Sequence, residues 1–180
     1  ESSTGAVYVV GYASGSINSE TYVGGLDNII LKYSSSGSLT WTRMSGTVQT
    51  ESTFGVAVDS TSGSVYVCGY AGAGLHGETF IGGSTDGFIM KYASDGTRSW
   101  TIMAGSTDSD LAWSVAVDSS GVAYMTGYSS AAMNGEAYVG GRDIFLVSYS
   151  SAGTRLWTRT AGVTGEDEGK SVIVDGAGSI

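Results

Sequence analysis

The chain has 180 residues, with 29 Gly, no Pro and one Cys; only 14% are charged, and acids outnumber bases 17 to 8 for a net charge of -9. This excess argues against sequence-independent nucleic-acid binding, which needs clustered Lys and Arg, and against anionic membrane surfaces. No apolar run approaches the roughly 20 residues that span a bilayer, no basic-then-apolar stretch opens the sequence at Glu1, and the lone Cys68 excludes a disulfide framework or a Cys-rich zinc site.

From about Ala6 to Ala13 the chain reads as a strand, rich in the β-branched and aromatic residues that suit a pleated, partly buried surface. Phe54 to Asp59 is a short apolar run stopped by a Ser/Thr/Gly turn cluster, and Ser64 to Tyr70 is the next strand. A Gly-rich loop follows from Ala71 to about Thr85. Gly87 to Tyr92 reads as a third strand, and the Ser94-Asp-Gly96 turn leads to a fourth over Arg98 to Met103. Near the end, Lys170 to Asp175 reads as a first strand again, and Gly178-Ser-Ile180 as the start of a second. No segment sustains a helical period.

These elements recur. Tyr8-Val-Val-Gly-Tyr12 returns at Tyr66 and at Tyr124, shifted by 58 each time. Tyr22-Val-Gly-Gly25 returns as Phe80-Ile-Gly-Gly83 and Tyr138-Val-Gly-Gly141. Trp41 matches Trp100 and Trp157, and Asp59 matches Asp118 and Asp175. A period of this size signals a propeller, solenoid or array. The units run approximately over 1–53, 54–111, 112–169 and 170–180, within one region covering 1–180. Four short strands per unit predict an all-β fold, a β-propeller of four-stranded antiparallel blades with three blades' worth present. Three blades fall short of the usual minimum of about four. Either the ring continues in a longer chain or several copies complete it.

Val115-Ala-Val-Asp118, Ser120-Gly121, Tyr124 to Tyr128, Gly140-Gly141, Asp143, Tyr149, Gly153 and Trp157-Thr158 resemble the bacterial SBBP-type β-propeller repeat. The resemblance extends over almost the whole chain, three times. It implies a propeller fold and an extracellular or cell-surface setting. The Gly-x-x-x-Trp spacing that precedes Trp41, Trp100 and Trp157 also looks like the blade motif of quinone-dependent dehydrogenases. No quinone pocket accompanies it, and the indoles are read as filling the wedge between sheets, with Tyr8, Tyr66 and Tyr124 in the same blade core.

Asp59, Asp118 and Asp175 close their strands where a carboxylate can accept from turn amides. Glu20, Glu78 and Glu136, with Asp27, Asp86 and Asp143, flank the Gly-Gly pair in the long loop, which makes this loop the candidate surface for a ligand or partner. No loop has the EF-hand order Asp-x-Asp-x-Asp-Gly, so no cofactor is expected, with calcium the one cation the carboxylates leave open. The acidic stretch Glu166-Asp-Glu168 corresponds to Asp108-Ser-Asp110 and to Glu51, and reads as a solvated loop. His76, the single histidine, occupies a position held by Asn18 and Asn134, so a polar loop residue is required there rather than an imidazole. Cys68 aligns with Val10 and Thr126 as a small packed side chain.

No nucleophile with a positioned base and no phosphate cradle is visible, and a Glu78–Asp86 acid–base pair is the weakest reading. The sequence therefore predicts a non-enzymatic extracellular or cell-surface structural or interaction module, such as a subunit of a surface filament or coat. Its expected partner is protein, through self-association or the remainder of a longer chain. The alternative is a lectin-like propeller that binds glycans or protein through its Gly-rich loops.

Overall fold

The structure is a computed structural model that describes residues 5–175; the expected strand start at Gly178–Ile180 lies outside them. Twelve strands and no helix are found among the described residues. They are β1 (Val7–Ala13), β2 (Asp27–Tyr33), β3 (Leu39–Ser45), β4 (Glu51–Val58), β5 (Val65–Ala71), β6 (Asp86–Tyr92), β7 (Arg98–Ala104), β8 (Asp110–Val117), β9 (Ala123–Ser129), β10 (Gly141–Tyr149), β11 (Arg155–Ala161) and the short β12 (Gly165–Glu166). Three sheets result: β1-β2-β3, then β4-β5-β6-β7, then β8-β9-β10-β11, with β12 bridged in parallel to β10. All other pairings within the sheets are antiparallel. Lys170–Asp175 forms no strand, unlike its counterparts in β4 and β8, and among the described residues no second strand lies beside it to supply a ladder.

Strand alternation explains how the sheets stack. In β5, Val65 and Val67 pack with Ile30, Tyr8, Val10 and Trp41 of the first sheet. The intervening Tyr66 and Cys68 pack with Val115, Met125 and Phe145 of the third. The same alternation divides Phe88 and Met90 from Ile89 in β6. Successive side chains of a strand point to opposite faces, so the middle sheet is apolar on both and reads as a continuous apolar run. Two cores result, one at each face of the middle sheet.

The first strand of each four-stranded sheet, β4 or β8, carries a bulge. The β4–β5 register slips between Thr53 and Gly55 and sets Phe54 apart; the β8–β9 register slips between Ala112 and Ser114 and sets Trp113 apart. The bulged backbone presses on a glycine of strand two. A Cβ on Gly69 would collide with the Ser52 carbonyl oxygen, and one on Gly127 with that of Leu111. At the equivalent Gly11, on the open edge of β1, a Cβ would meet nothing within 4 Å.

This contrast is testable. Gly69→Val should destabilise the fold by about 3 kcal/mol, at the upper end of overpacking costs, and lower Tm by roughly 6–12 °C for a chain of this size. Gly11→Val should leave the Tm of the isolated chain within about 2 °C, since Val suits a strand. Thermal unfolding followed by far-UV circular dichroism reads both.

Candidate functional site

The long loops over 14–26, 72–85 and 130–140 leave β1, β5 and β9 and return as β2, β6 and β10. Each turns at the equivalent residue, Asn18, His76 or Asn134, at φ of 49°, 55° and 55°. Asn and His tolerate this left-handed region better than most side chains, which is why the position accepts either. Each then reaches a threonine of the outermost strand. Asn18 Nδ2 donates to Thr42 Oγ1 and Asn134 Nδ2 to Thr158 Oγ1, both at 3.0 Å, and His76 Nδ1 lies 2.9 Å from Thr101 Oγ1. Partial burial of the ring, then the positive charge of Arg98, push the His76 pKa down to about 4.

The carboxylates of the loops have two distinct fates. Asp27, Asp86 and Asp143 are buried and accept from the loop amides of Val23, Ile81 and Val139 at 2.7, 2.5 and 2.8 Å. The glutamates lie nearer the surface. Glu20 accepts from the Met44 amide at 3.1 Å and pairs with Arg43 at 3.7 Å, while Glu136 pairs with Arg159 at 3.3 Å. Ile102 stands where Arg43 and Arg159 stand, so exposed Glu78 makes no ion pair among the described residues.

The turn acids are bound locally. Asp59 accepts from the Thr61 amide at 2.8 Å and from Ser62 Oγ at 2.5 Å. Asp118 accepts from Ser120 and Val122 amides at 2.9 and 3.0 Å and from Tyr124 Oη at 3.1 Å. Burial opposes ionisation at both, but these donors outweigh it and hold each carboxyl below the usual range. Exposed Asp175 ends the described chain, and the turn that would follow it lies outside.

Two of the aromatic pairs sit between sheets, and the third, Tyr124–Trp157, lies on the free side of the last sheet. Ring centroids are 5.9 Å apart for Tyr8–Trp41 and for Tyr66–Trp100, and 6.0 Å for Tyr124–Trp157. Trp41 Nε1 donates to the Ser94 carbonyl at 3.1 Å and Trp100 Nε1 to that of Ser151 at 3.2 Å, each in the turn of the following sheet. Lys32 and Lys91 donate to the same two carbonyls at 2.7 and 2.9 Å. Tyr66 Oη reaches the Gly121 carbonyl at 3.0 Å, and burial pushes its pKa up to about 12. Cys68 is fully buried, and burial raises its thiol as well.

Two features depart from the sequence reading. The acidic stretch is not a solvated loop throughout, because Glu51 and Asp110 are completely buried and only Glu166 of its third copy is exposed. Each enters the first strand at the junction with the preceding sheet, where its own amide donates to Leu26 or Thr85 at 2.7 and 2.8 Å. The second feature is Trp113, the tryptophan outside the repeat. It stands 4.8 Å from Phe54, donates to Glu168 Oε2 at 3.0 Å and lies beneath Lys170 Nζ at 4.0 Å. Glu168 also pairs with Arg142 at 2.5 Å. Burial opposes its ionisation, but Lys170, Arg142 and Trp113 outweigh this and hold the carboxyl low. An open cleft of about 520 Å³ runs beside these residues between the second and third sheets, with Tyr70, Tyr128 and Ser109 on its walls. Only the mismatch of Phe54, Trp113 and Lys170 at one repeat position marked this cluster in the sequence.

No family model matches the chain. It is 28% identical over 193 aligned positions to regulatory protein FlaEY of Caulobacter vibrioides. The alignment takes in 96% of this chain and 20% of that relative, so the chain spans about a fifth of the relative's length.

The loop geometry predicts that His76→Asn keeps the turn and the contact to Thr101. It should also change the pH dependence of folding. A histidine whose pKa is depressed in the fold stabilises above its unfolded pKa, near 6.5, and loses that contribution as pH falls towards 4. Relative to His76→Asn, the natural chain should therefore lose a small amount of stability between pH 7 and pH 4, small because the residue as a whole is exposed and solvent screens it. Parallel urea titrations across this range check it, and parallel curves would contradict it.

Proposed function

We propose that this chain is a non-enzymatic structural and interaction module of β-propeller type that assembles head to tail with a second copy of itself. One observation carries the reading: the two ends of the three-sheet stack carry the two halves of the contact that the middle sheet buries. At one end Val7 and Val9 are 53% and 46% exposed, whereas their counterparts Val65 and Val67 are fully buried. At the other end an apolar groove runs along Thr126, Ile144, Leu146, Val172 and Ile173, on the face equivalent to the one Cys68 and Ile89 bury.

The open edge supports the same conclusion. Gly11 keeps the clearance that a bulged first strand needs, and Lys170–Asp175 follows the first-strand pattern with no second strand beside it among the described residues. Unpaired strand edges are templates for strand addition. Three sheets from each of two copies make six, within the range of about four to eight for propeller rings. The resemblance to SBBP-type repeats, the low charge and the Gly- and Ser-rich surface support an extracellular or cell-surface setting.

The β4–β5 register fixes the test. Val56 pairs with Val67, so Val172 of one copy should pair with Val9 of the next. A Val9→Cys/Val172→Cys chain should form intermolecular disulfides under mild oxidation, since facing residues in a ladder bring their Cβ atoms within bridging range. Val9→Cys/Ile173→Cys, with the second thiol directed to the other face, should not. Equal cross-linking of the two, or none, would overturn the head-to-tail register.

A further inference from the structure

We infer that the chain binds two divalent, oxygen-seeking cations of the calcium class, one between Asp27 and Glu51 and one between Asp86 and Asp110. These pairs occupy the first two sheet junctions, away from the open edge and the apolar groove, so the inference does not depend on assembly.

The argument begins with an orphan. Asp27, Asp86 and Asp143 each give one carboxylate oxygen to a loop amide. The other oxygen, Oδ1 in all three, is buried and has no hydrogen-bond partner among the described residues. The residues are 0%, 0% and 1% exposed. A buried polar atom without a partner is expensive, and a buried charge more so. The orphan recurs at the same position in all three repeats, and in the first two a second, fully buried acid stands opposite it.

The orphan oxygen faces a second acid. A Cβ built on Gly105 would lie 2.5 Å from Asp86 Oδ1 and 2.8 Å from Asp110 Oδ2. One on Gly46 would press on Asp27 Oδ1 and stand 2.9 Å from Glu51 Oε2. The two carboxylates of each pair therefore converge on one small gap, which a side chain at the glycine would fill. Both second acids are fully buried and fixed from behind. Thr47 donates its amide and hydroxyl to Glu51 at 2.7 and 2.6 Å, and Ser106 donates its amide to Asp110 at 2.6 Å. Burial raises Glu51, Asp86 and Asp110 above the ordinary carboxyl range, and repulsion from the partner acid adds to this at Glu51 and Asp86.

Two anions turned towards one buried gap, in a chain of net charge -9, call for a positive charge. The donors are all oxygen, which selects calcium or magnesium over zinc or copper. Calcium fits better because it tolerates irregular geometry at about 2.3–2.6 Å, whereas magnesium demands a near-ideal octahedron. Among the described residues no three or more His, Cys, Asp or Glu side chains converge. With two carboxylates per site, affinity belongs in the weak range of about 0.1–1 mM found in extracellular modules. At the free end of the stack, beyond the third sheet, the three atoms nearest a Cβ on Gly162 all belong to Asp143, and half-buried Asp167 accepts from Val163 at 2.9 Å. That pair is open, which makes the stoichiometry two.

The test uses the full chain at pH 7.5, stripped with EDTA. Equilibrium dialysis against radioactive calcium should give two bound ions per chain, saturating by about 5 mM. Tm should rise by about 5 °C in 5 mM calcium, as expected for a ligand that binds only the folded state, and by clearly less in 5 mM magnesium. Asp86→Asn retains an acceptor for the Ile81 amide, so it should fold, and it should bind one ion fewer. Glu51→Gln should likewise remove one. The inference is overturned if no calcium is bound at 5 mM. It is also overturned if both variants bind as the natural chain does, or if the calcium shift persists in the Asp86→Asn/Glu51→Gln double variant. Acid stabilisation without calcium binding would show that each pair shares a proton instead.

Discussion

A sheet that is apolar on both faces cannot stand alone, and this constraint organises the molecule. The middle sheet buries Val65, Val67, Phe88 and Met90 on one side and Tyr66, Cys68 and Ile89 on the other. At about 25 cal/mol per Å² of apolar area removed from water, faces of this kind dominate the stability of such a stack. The polar links between sheets are few and local by comparison. Trp41 and Trp100 donate to turn carbonyls of the following sheet, and Lys32 and Lys91 support them. They set the register of one sheet on the next, while the apolar faces provide the attraction. The outer sheets repeat the sequence of the middle one and so repeat its need for neighbours.

Much of this was legible in the sequence because each repeat is an independent reading of the same strand pattern. The Tyr-x-x-Gly-Tyr segment, the Asp-ended first strand and the Gly-x-x-x-Trp turn each recur three times, and strands lie at each except the last Asp-ended copy, Lys170–Asp175. The role of the Asn18/His76/Asn134 position was also visible, since Asn and His share a tolerance for positive φ that a catalytic imidazole would not need. Lys170–Asp175 was less legible. Its pattern is that of a first strand, but a strand needs a partner and the sequence does not state whether one is at hand.

The acids show most clearly where a sequence stops being informative. Glu51 and Asp110 stand among Thr, Ser and Gly, surroundings typical of a solvated turn, yet both are completely buried. Their burial follows from the handover between sheets, where the chain passes from the last strand of one to the first strand of the next beside the preceding long loop. Residues 24 positions apart, Asp27 with Glu51 and Asp86 with Asp110, meet there around a glycine. Repeat alignment places each acid at a fixed position but says nothing about which two converge. Trp113 was overlooked for the opposite reason: it breaks the repeat, and a search for recurrence passes over a residue that occurs once.

The central claim is that the exposed ends of the stack are two halves of one interface. It is tested most directly by the mass of the native particle set beside the mass of the denatured chain. Native mass spectrometry of this 180-residue chain should show a particle of about twice 18.4 kDa that dissociates to 18.4 kDa on denaturation. A native particle that remains at 18.4 kDa as its concentration is raised about 100-fold would contradict the account.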